Sequence, residues 1–272
     1  MLYLIATPIG NLSDITFRAV EVMKSCDYIL CEDTRHSRKL LTHYDIHKPV
    51  KSFHKFNEVA RLKELIEDLQ AGKNIALISD AGTPAIADPG EMIVKRCREE
   101  NIDIFSLPGP CAAIAALTIS ALSTQRFQFI GFLPKKKSLL KQILIETLHY
   151  PGTSIAYESP HRIIETLQEV AHLNSNRKIV ILRELTKLHE EYLQGTASEL
   201  LNHFQQKPPL GELVLLVEGK VEEAEESPLS PQEQVKRLQL EYGISLQEAI
   251  KLTASLQKVP KRTIYNLFHH TT

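Results

Sequence analysis

The chain has 272 residues, 43% hydrophobic and 24% charged, with a formal net charge of −1. That composition fits a soluble globular protein long enough for two domains, and it excludes a global positive field that would recruit nucleic acid by itself. Ala112–Leu122 is too short an apolar run to cross a bilayer, MLYLIATP lacks a basic leader and a cleavage site, and Cys26, Cys31, Cys97 and Cys111 form no CxxC pair, so a cytoplasmic protein with buried reduced thiols is expected.

The predicted elements begin with a strand over Leu2–Ala6, broken by TPIGN (7–11). Ser13 or Asp14 can cap a helix from Ile15 to about Ser25. A strand at Asp27–Cys31 leads into the charged loop EDTRHS (32–37), a short helix at Arg38–Tyr44 and a brief strand at Lys51–Phe53. Glu58–Ala71 carries Leu62, Leu65, Ile66 and Leu69 at helical spacing, with Gly72 as its stop. The continuous apolar run Ile75–Ile78 reads as a buried strand; it is followed by a helix at Glu91–Asn101 and a strand at Asp103–Ser106. Strands alternating with helices predict βαβ units and a largely parallel sheet.

PGPCAAIAAL (108–117) opens a helix of small residues, after which the chain changes character. Strands are predicted at Phe127–Phe132, 153–158, Lys178–Leu182 and Glu212–Glu218, and helices from KKKSLLKQ (135–142), at Arg162–His172 and at Glu199–Gln205. The acidic, Pro-containing stretch 221–230 holds four Glu in six residues and reads as a linker. Three short helical patterns follow at Gln232–Tyr242, Leu246–Gln257 and Thr263–His269, the last two at helix-turn-helix-like spacing. From Ser227 to Thr272 there are six Lys or Arg and three Glu, a net +3 that suits either RNA contact or a packing cap. The resulting division is an N-terminal α/β domain over 1–118, a second α/β domain over 119–220, a linker over 221–230 and a helical domain over 231–272.

The stretch SDAGTPAIADPG (79–90) carries the strongest local signal. Pro84 and Pro89 forbid a helix, Gly82 and Gly90 permit unusual dihedrals, and a rigid loop past a strand's carboxyl end is where open α/β sheets hold ligands. Asp80 can accept from an amine or a ribose hydroxyl, and Ala81–Thr83 let a flat ligand approach the backbone. TPIGN is either a second ligand loop or a plain strand-to-helix connection; neither GxGxxG nor a P-loop is present. Glu32, Asp33, Arg35 and His36 are either a proton-transfer and phosphate-binding group or a salt-bridged solvated turn. A second polar set comprises Glu158, His161, Arg162, Arg183, Glu184 and Lys187. His43 and His47 have metal-pair spacing but lack a third ligand, so no metal site is expected.

Seven motifs stand in order: ATPIGNLSDIT (6–16), CEDTRHSRKLL (31–41), SDAGTPAIADPG (79–90), PGPCAAIAAL (108–117), YESPHR (157–162), RELTKLHEE (183–191) and GELVLLVEG (211–219). Together they resemble the ribosomal small-subunit (16S) RNA cytidine 2'-O-methyltransferase family, of the tetrapyrrole-methylase-like superfamily, over about residues 2–220. The resemblance implies two α/β domains with S-adenosylmethionine in the cleft between them, a homodimer, and methyl transfer to a cytidine ribose in the decoding region. It places Pro8, Asp80, Thr83, Ile86, Cys111, Ala112, Tyr157, Arg183 and Glu212 at the cofactor. Ala87, Cys111, Ala121 and Ala156 depart from the usual pattern, and a thiol at 111 donates poorly to a cofactor hydrogen bond.

An activated methyl donor leaves the protein to align the ribose oxygen and help remove its proton. Asp33 or Glu32, with Glu184 in reserve, are the candidate bases; Arg35, Arg183 and Lys187 are candidates to hold phosphates. The competing expectations are a methylase of a tetrapyrrole or modified protein residue, and a non-enzymatic RNA-binding ribosome-assembly factor.

Overall fold

The computed structural model describes residues 1–220 and 229–269. Residues 221–228 of the expected acidic linker lie outside them. The chain divides into two compact units, Met1–Ala116 with Glu184–Glu191, and Leu117–Arg183 with Tyr192–Thr272.

The first unit is built on five parallel strands, β1 (Leu2–Ile5), β2 (Tyr28–Cys31), β3 (Val50–Ser52), β4 (Ile75–Ile78) and β5 (Ile104–Leu107), in the order β3-β2-β4-β1-β5. From β1 the chain moves one way across the sheet to β2 and β3, then returns through β4 to β5. The helices α1 (Phe17–Ser25) and α2 (Thr34–His43) make the outward connections, and α3 (Glu58–Gln70) and α4 (Glu91–Glu99) the return ones. Right-handed crossovers put the two pairs on opposite faces. The packing agrees: Leu65, Leu69, Ile93 and Cys97 share one core with Leu2, Leu30, Ile75 and Leu77. Ala19, Met23 and Leu41 share another with Ile5, Ile29, Cys31, Ala76 and Ile78. Strand residues alternate between the two cores because their side chains alternate across the sheet. Both faces being covered, the strands read as unbroken apolar runs.

In the second unit the sheet has the order β6-β7-β10-β8-β9, with β6 (Phe127–Phe132), β7 (Thr153–Glu158), β8 (Lys178–Arg183), β9 (Glu191–Thr196) and β10 (Leu213–Val217). Strand β6 runs parallel to β7, whereas β10 is antiparallel to both β7 and β8. The chain leaves the first unit within α5 (Ala112–Ile119), and α6 (Lys137–His149), α7 (Ile163–Leu173) and α8 (Ala197–Gln206) follow in the second. The C-terminal helices α9 (Pro231–Tyr242), α10 (Leu246–Leu256) and α11 (Lys261–His269) then complete the chain. Capping boxes at Ser230/Glu233 and Ser245/Glu248 start α9 and α10, and Gly243 at φ 57 ends α9. Their apolar faces enter the second unit's own core: Val235, Leu238, Ile250 and Ile264 lie in one cluster with Leu144, Leu167 and Leu215.

Two local starts differ from the sequence expectation. Residues 12–14 form a 3₁₀ turn capped by Asn11, so α1 is capped by Thr16, whose hydroxyl accepts from Ala19 N–H, rather than by Ser13 or Asp14. Helix α2 begins at Thr34 with Asp33 as its cap, so the charged stretch expected as a loop is the first turn of a helix. Strand β9 has no counterpart among the expected elements, because Gln194 and Gly195 dilute its apolar pattern.

Candidate functional site

In a parallel sheet every strand delivers its following loop to the same edge, so the loops after β1, β2, β4 and β5 gather without any special device. Hydrogen bonds then lace them. Thr7 and Gly82 exchange backbone bonds in both directions, Thr7 N–H to Gly82 O at 2.9 Å and Gly82 N–H to Thr7 O at 3.0 Å. Thr7 Oγ1 donates to Ser79 O at 3.1 Å and Ser79 Oγ to Gly82 O at 2.7 Å. Thr83 Oγ1 donates to Pro110 O at 3.0 Å, which ties in the loop after β5. The loop after β2 joins through Asp33 N–H, donating to Asp80 Oδ1 at 3.2 Å.

The 79–90 loop is strained. Ala85 and Ala87 both sit at φ 64, in the left-handed region that alanine enters only under constraint, and Gly82 and Gly90 are at φ 85 and 136. A Cβ on Gly90 would meet Leu77 Cδ2 at 3.0 Å and Ala85 Cβ at 3.2 Å, so its backbone turns inside the packed core. Gly90 also starts α4 without a side chain to cap it; the buried Glu58 of α3 supplies the acceptor, taking Met92 N–H at 3.2 Å. Ala81, Ile86 and Ala87 stay exposed on this framework.

Three carboxylates collect at the ends of β2 and β4. Burial and the charges of Glu32 and Asp80 push Asp88 up to about 6. Burial and the Asp80 charge push Glu32 up as well, against a smaller opposing effect of His54. Asp33 goes the other way: Arg35 donates from backbone N–H at 2.8 Å, from Nε at 3.2 Å and from Nη2 at 2.9 Å, and the pair of side-chain hydrogen bonds holds its carboxyl near about 2. Asp33 is thus the cap of α2 and the clamp of Arg35, whereas Glu32 is the carboxylate whose charged form its surroundings disfavour.

The segment Glu184–Glu191 belongs to this same unit. Glu184 and Thr186 lie at φ 53 and 65, and the turn is closed by Lys187 N–H to Glu184 O at 3.0 Å and Thr186 N–H to Glu190 Oε2 at 2.6 Å. Lys187 Nζ bonds Glu184 Oε1 at 2.7 Å. Gly10 of TPIGN packs on this turn; a Cβ there would collide with Lys187 Cγ and lie 2.8 Å from Thr186 Oγ1.

Of the sequence-predicted residues, the first unit therefore gathers Pro8, Asp80, Thr83, Ile86, Cys111, Glu32 and Asp33 on strand-end loops, Arg35 and Ala112 in the first turns of α2 and α5, and Glu184 and Lys187 on the 184–191 turn. The second unit brings Tyr157, Arg183 and Glu212 to one end of its sheet, because antiparallel β10 starts where β7 and β8 finish, with Leu213 opposite both Glu158 and Arg183. Asp88 was not among the candidates; its position inside the Gly- and Pro-rich loop was the available signal.

These loops and sheets have counterparts in known proteins. Residues 1–201 match the model of the tetrapyrrole (corrin/porphyrin) methylases. A protein of Halalkalibacterium halodurans named ribosomal RNA small subunit methyltransferase I is 46% identical over 98% of this chain and 94% of its own length. The chain belongs to the ribosomal RNA small subunit methyltransferase I family. Further members of the family include the Haemophilus influenzae protein, 45% identical over 97% of this chain and 95% of its own, and the Bacillus subtilis protein, 42% identical over 99% and 94%. Among solved structures, diphthine synthase superposes with a TM-score of 0.63 at 14% identity, covering 81% of this chain and 90% of its own. A uroporphyrin-III-C-methyltransferase from Thermus thermophilus does so at 0.57 and 17%, covering 80% and 93%. Those two likenesses show the α/β fold.

The cofactor of this methylase family is S-adenosylmethionine, and the donor set of the first unit fits it. Asp80 uses one carboxylate oxygen on Asp33 N–H and has acceptor capacity left for a hydroxyl or ammonium group. Exposed Ala81, Ile86 and Ala87 offer small or apolar surface to a flat base. Thr83 is a support, since its hydroxyl proton is already given to Pro110 O. Among the described residues no group of three or more His, Cys, Asp or Glu is arranged to hold a metal ion.

Proposed function

We propose that this protein transfers a methyl group from S-adenosylmethionine to the ribose 2'-oxygen of a cytidine in the decoding region of small-subunit (16S) rRNA. The observation that carries the reading is the laced set of strand-end loops in the first unit, with its opposed carboxylates Glu32 and Asp33, in a chain 46% identical to a ribosomal RNA small subunit methyltransferase I.

When bound, S-adenosylmethionine supplies a methyl group already activated on a sulfonium. Asp80 and the strained 79–90 backbone hold the donor in one pose, and Pro8, Ile86, Cys111 and Ala112 line the same loops. Glu32 would take the 2'-hydroxyl proton of the acceptor ribose, a carboxyl raised above its ordinary value being the stronger base. Asp33 is withdrawn from that role by Arg35. Arg35 and Lys187 present cationic groups to phosphates, and Glu184 keeps Lys187 in place. The assignment of Tyr157, Arg183 and Glu212 to the donor rests on the family resemblance. A homodimer working in the cytoplasm belongs to the same reading; no helix among the described residues is long and apolar enough to cross a membrane.

The test is calorimetric titration with S-adenosylmethionine, then methylation of intact small subunits and of naked rRNA, with the modified nucleotide located by mass spectrometry. Sedimentation reads the oligomeric state. Donor binding followed by one methylated cytidine ribose is the expected outcome. Methylation of a base, or of a tetrapyrrole or peptide instead, would overturn the reading; donor binding absent altogether would point to an assembly factor.

A further inference from the structure

Strand β6 contains an irregularity with a chemical result. Phe129 lies opposite Ile155 and Phe132 opposite Tyr157, so three steps on β6 match two on β7. The extra residue is accommodated at Gly131, at φ 71, in a position where nothing lies within 4 Å of a built Cβ. In a regular strand residues 129 and 132 would point to opposite faces; the bulge turns Phe132 to the side of Phe129. Both rings then meet Tyr157 edge to face, at centroid distances of 4.9 and 5.5 Å.

Phe129 and Tyr157 are half-buried, but Phe132 is 62% exposed. One exposed aromatic ring is ordinary on a protein surface. What sets this one apart is how firmly it is held. Arg162 donates from Nη1 to Leu133 O at 2.9 Å and from Nη2 to Pro134 O at 2.7 Å, clamping the chain just after the ring. The guanidinium is anchored by Glu158, 3% exposed, at 3.3 Å. Glu158 in turn accepts from Thr166 Oγ1 and Ser159 N–H, both at 2.8 Å. A buried network therefore fixes a short segment whose outward product is a bare ring.

The same segment continues into Lys135, Lys136 and Lys137. Lys137 reaches Glu165 at 3.4 Å; Lys135 and Lys136 are exposed and have no carboxylate within ion-pairing distance among the described residues. Lys136, Lys141 and Lys251 also line a cavity of about 240 Å³ formed between α6 and α10. A rigid aromatic face beside unpaired lysines is the combination that binds single-stranded nucleic acid, with the ring stacking a base and the cations following phosphates.

We propose that Phe132, braced by Tyr157, stacks on an unpaired base of the RNA substrate, and that Lys135 and Lys136 contact the flanking phosphates. This rests on the rRNA methyltransferase reading and adds to it a substrate-positioning residue in the second unit.

The experiment compares wild-type protein with Phe132→Ala, Phe132→Leu, Phe132→Trp and the double variant Lys135→Ala/Lys136→Ala. Affinity for an rRNA fragment is measured across salt concentrations, donor affinity by calorimetry, oligomeric state by sedimentation. Phe132→Ala and Phe132→Leu are expected to weaken RNA binding about tenfold with the salt slope unchanged, while Phe132→Trp restores it, as stacking demands. The lysine pair is expected to lower the salt slope by about 1 to 2, one for each phosphate no longer neutralised. Donor affinity stays as in wild type. Leucine as good as phenylalanine would overturn the proposal, as would an equal loss of donor affinity or a changed oligomeric state in Phe132→Ala. If wild type binds RNA without methylating it, the enzymatic reading fails while stacking by Phe132 is still scored by the same binding series.

Discussion

Asp33 N–H donates to Asp80 Oδ1 at 3.2 Å, and this bond couples a helix cap after β2 to the ligand loop after β4. It also sets Asp80's charge among Glu32 and Asp88, both of which that charge pushes up. Asp80→Asn keeps an acceptor for Asp33 and removes the charge. Donor affinity is expected to fall about tenfold, from losing a charge-assisted hydrogen bond of ~1.5 kcal/mol. The carboxyl carbons of Glu32 and Asp88 should titrate at lower pH in NMR spectra of the variant. Unchanged titration would show that Asp80 does not act on them.

Glu32 and Asp33 are adjacent in sequence and opposite in chemistry. Glu32→Gln removes the proposed base without touching a cap, so kcat is expected to fall about a hundredfold with donor affinity preserved and the melting temperature not lowered. Asp33→Asn loosens Arg35 and weakens the start of α2, lowering the melting temperature and raising KM for RNA more than it lowers kcat. Steady-state kinetics alongside thermal melts separates the two; the reverse pattern would exchange their roles.

Gly10 is required by its close neighbours rather than by its dihedrals. A methyl group there collides with Lys187 Cγ and crowds Thr186 Oγ1 and Leu185 O at 2.8 and 2.9 Å, in a turn already carrying two left-handed residues. Gly10→Ala is expected to cost about 1–3 kcal/mol, as overpacking of a filled site does. Because the displaced turn carries Glu184 and Lys187, RNA affinity should drop while donor affinity changes little. Equal losses in both would mean that TPIGN serves the donor directly.

Much of this was readable from residues alone. The strands of the first unit were legible because a doubly covered parallel sheet writes itself as short apolar runs, Ile75–Ile78 above all. The 79–90 loop was legible because Gly, Pro and Asp in that density exclude both regular structures. The role of Asp33 was not: its cap and its clamp on Arg35 depend on where α2 starts, and Thr34, Arg35 and His36 carry no apolar periodicity to mark it. The push of Glu32 on Asp88 was hidden, since it acts between a residue just past β2 and one deep in the loop after β4, 56 positions apart in sequence, that only the fold makes neighbours. The bulge at Gly131 was equally silent, because Phe127–Phe132 reads as an unbroken strand. In the C-terminal helices a net positive charge was visible, but the burial of Val235, Leu238 and Ile264 was not. Deleting them would therefore open the second unit's core, and surface changes at Lys261 and Arg262 are the cleaner probe of RNA contact.

Asp88 gives the fold a pH dependence of unusual sign. Its carboxyl is raised from an ordinary 3.8 to about 6, so the native state binds that proton more tightly than the unfolded chain does. The associated stability is fully present below about pH 4 and is lost as pH rises through about 6, the reverse of the usual salt-bridged carboxylate. Glu32, shifted the same way, adds to the trend. Above that range wild type carries a charged, partly desolvated Asp88 facing Glu32 and Asp80. Asp88→Asn stays neutral, so it is expected to be more stable than wild type at about pH 8, with the advantage shrinking as pH falls toward about 4. Urea midpoints measured for both proteins across that interval test the linkage. Parallel curves would place the Asp88 carboxyl at its ordinary value and remove the three-carboxylate cluster from the account of the site.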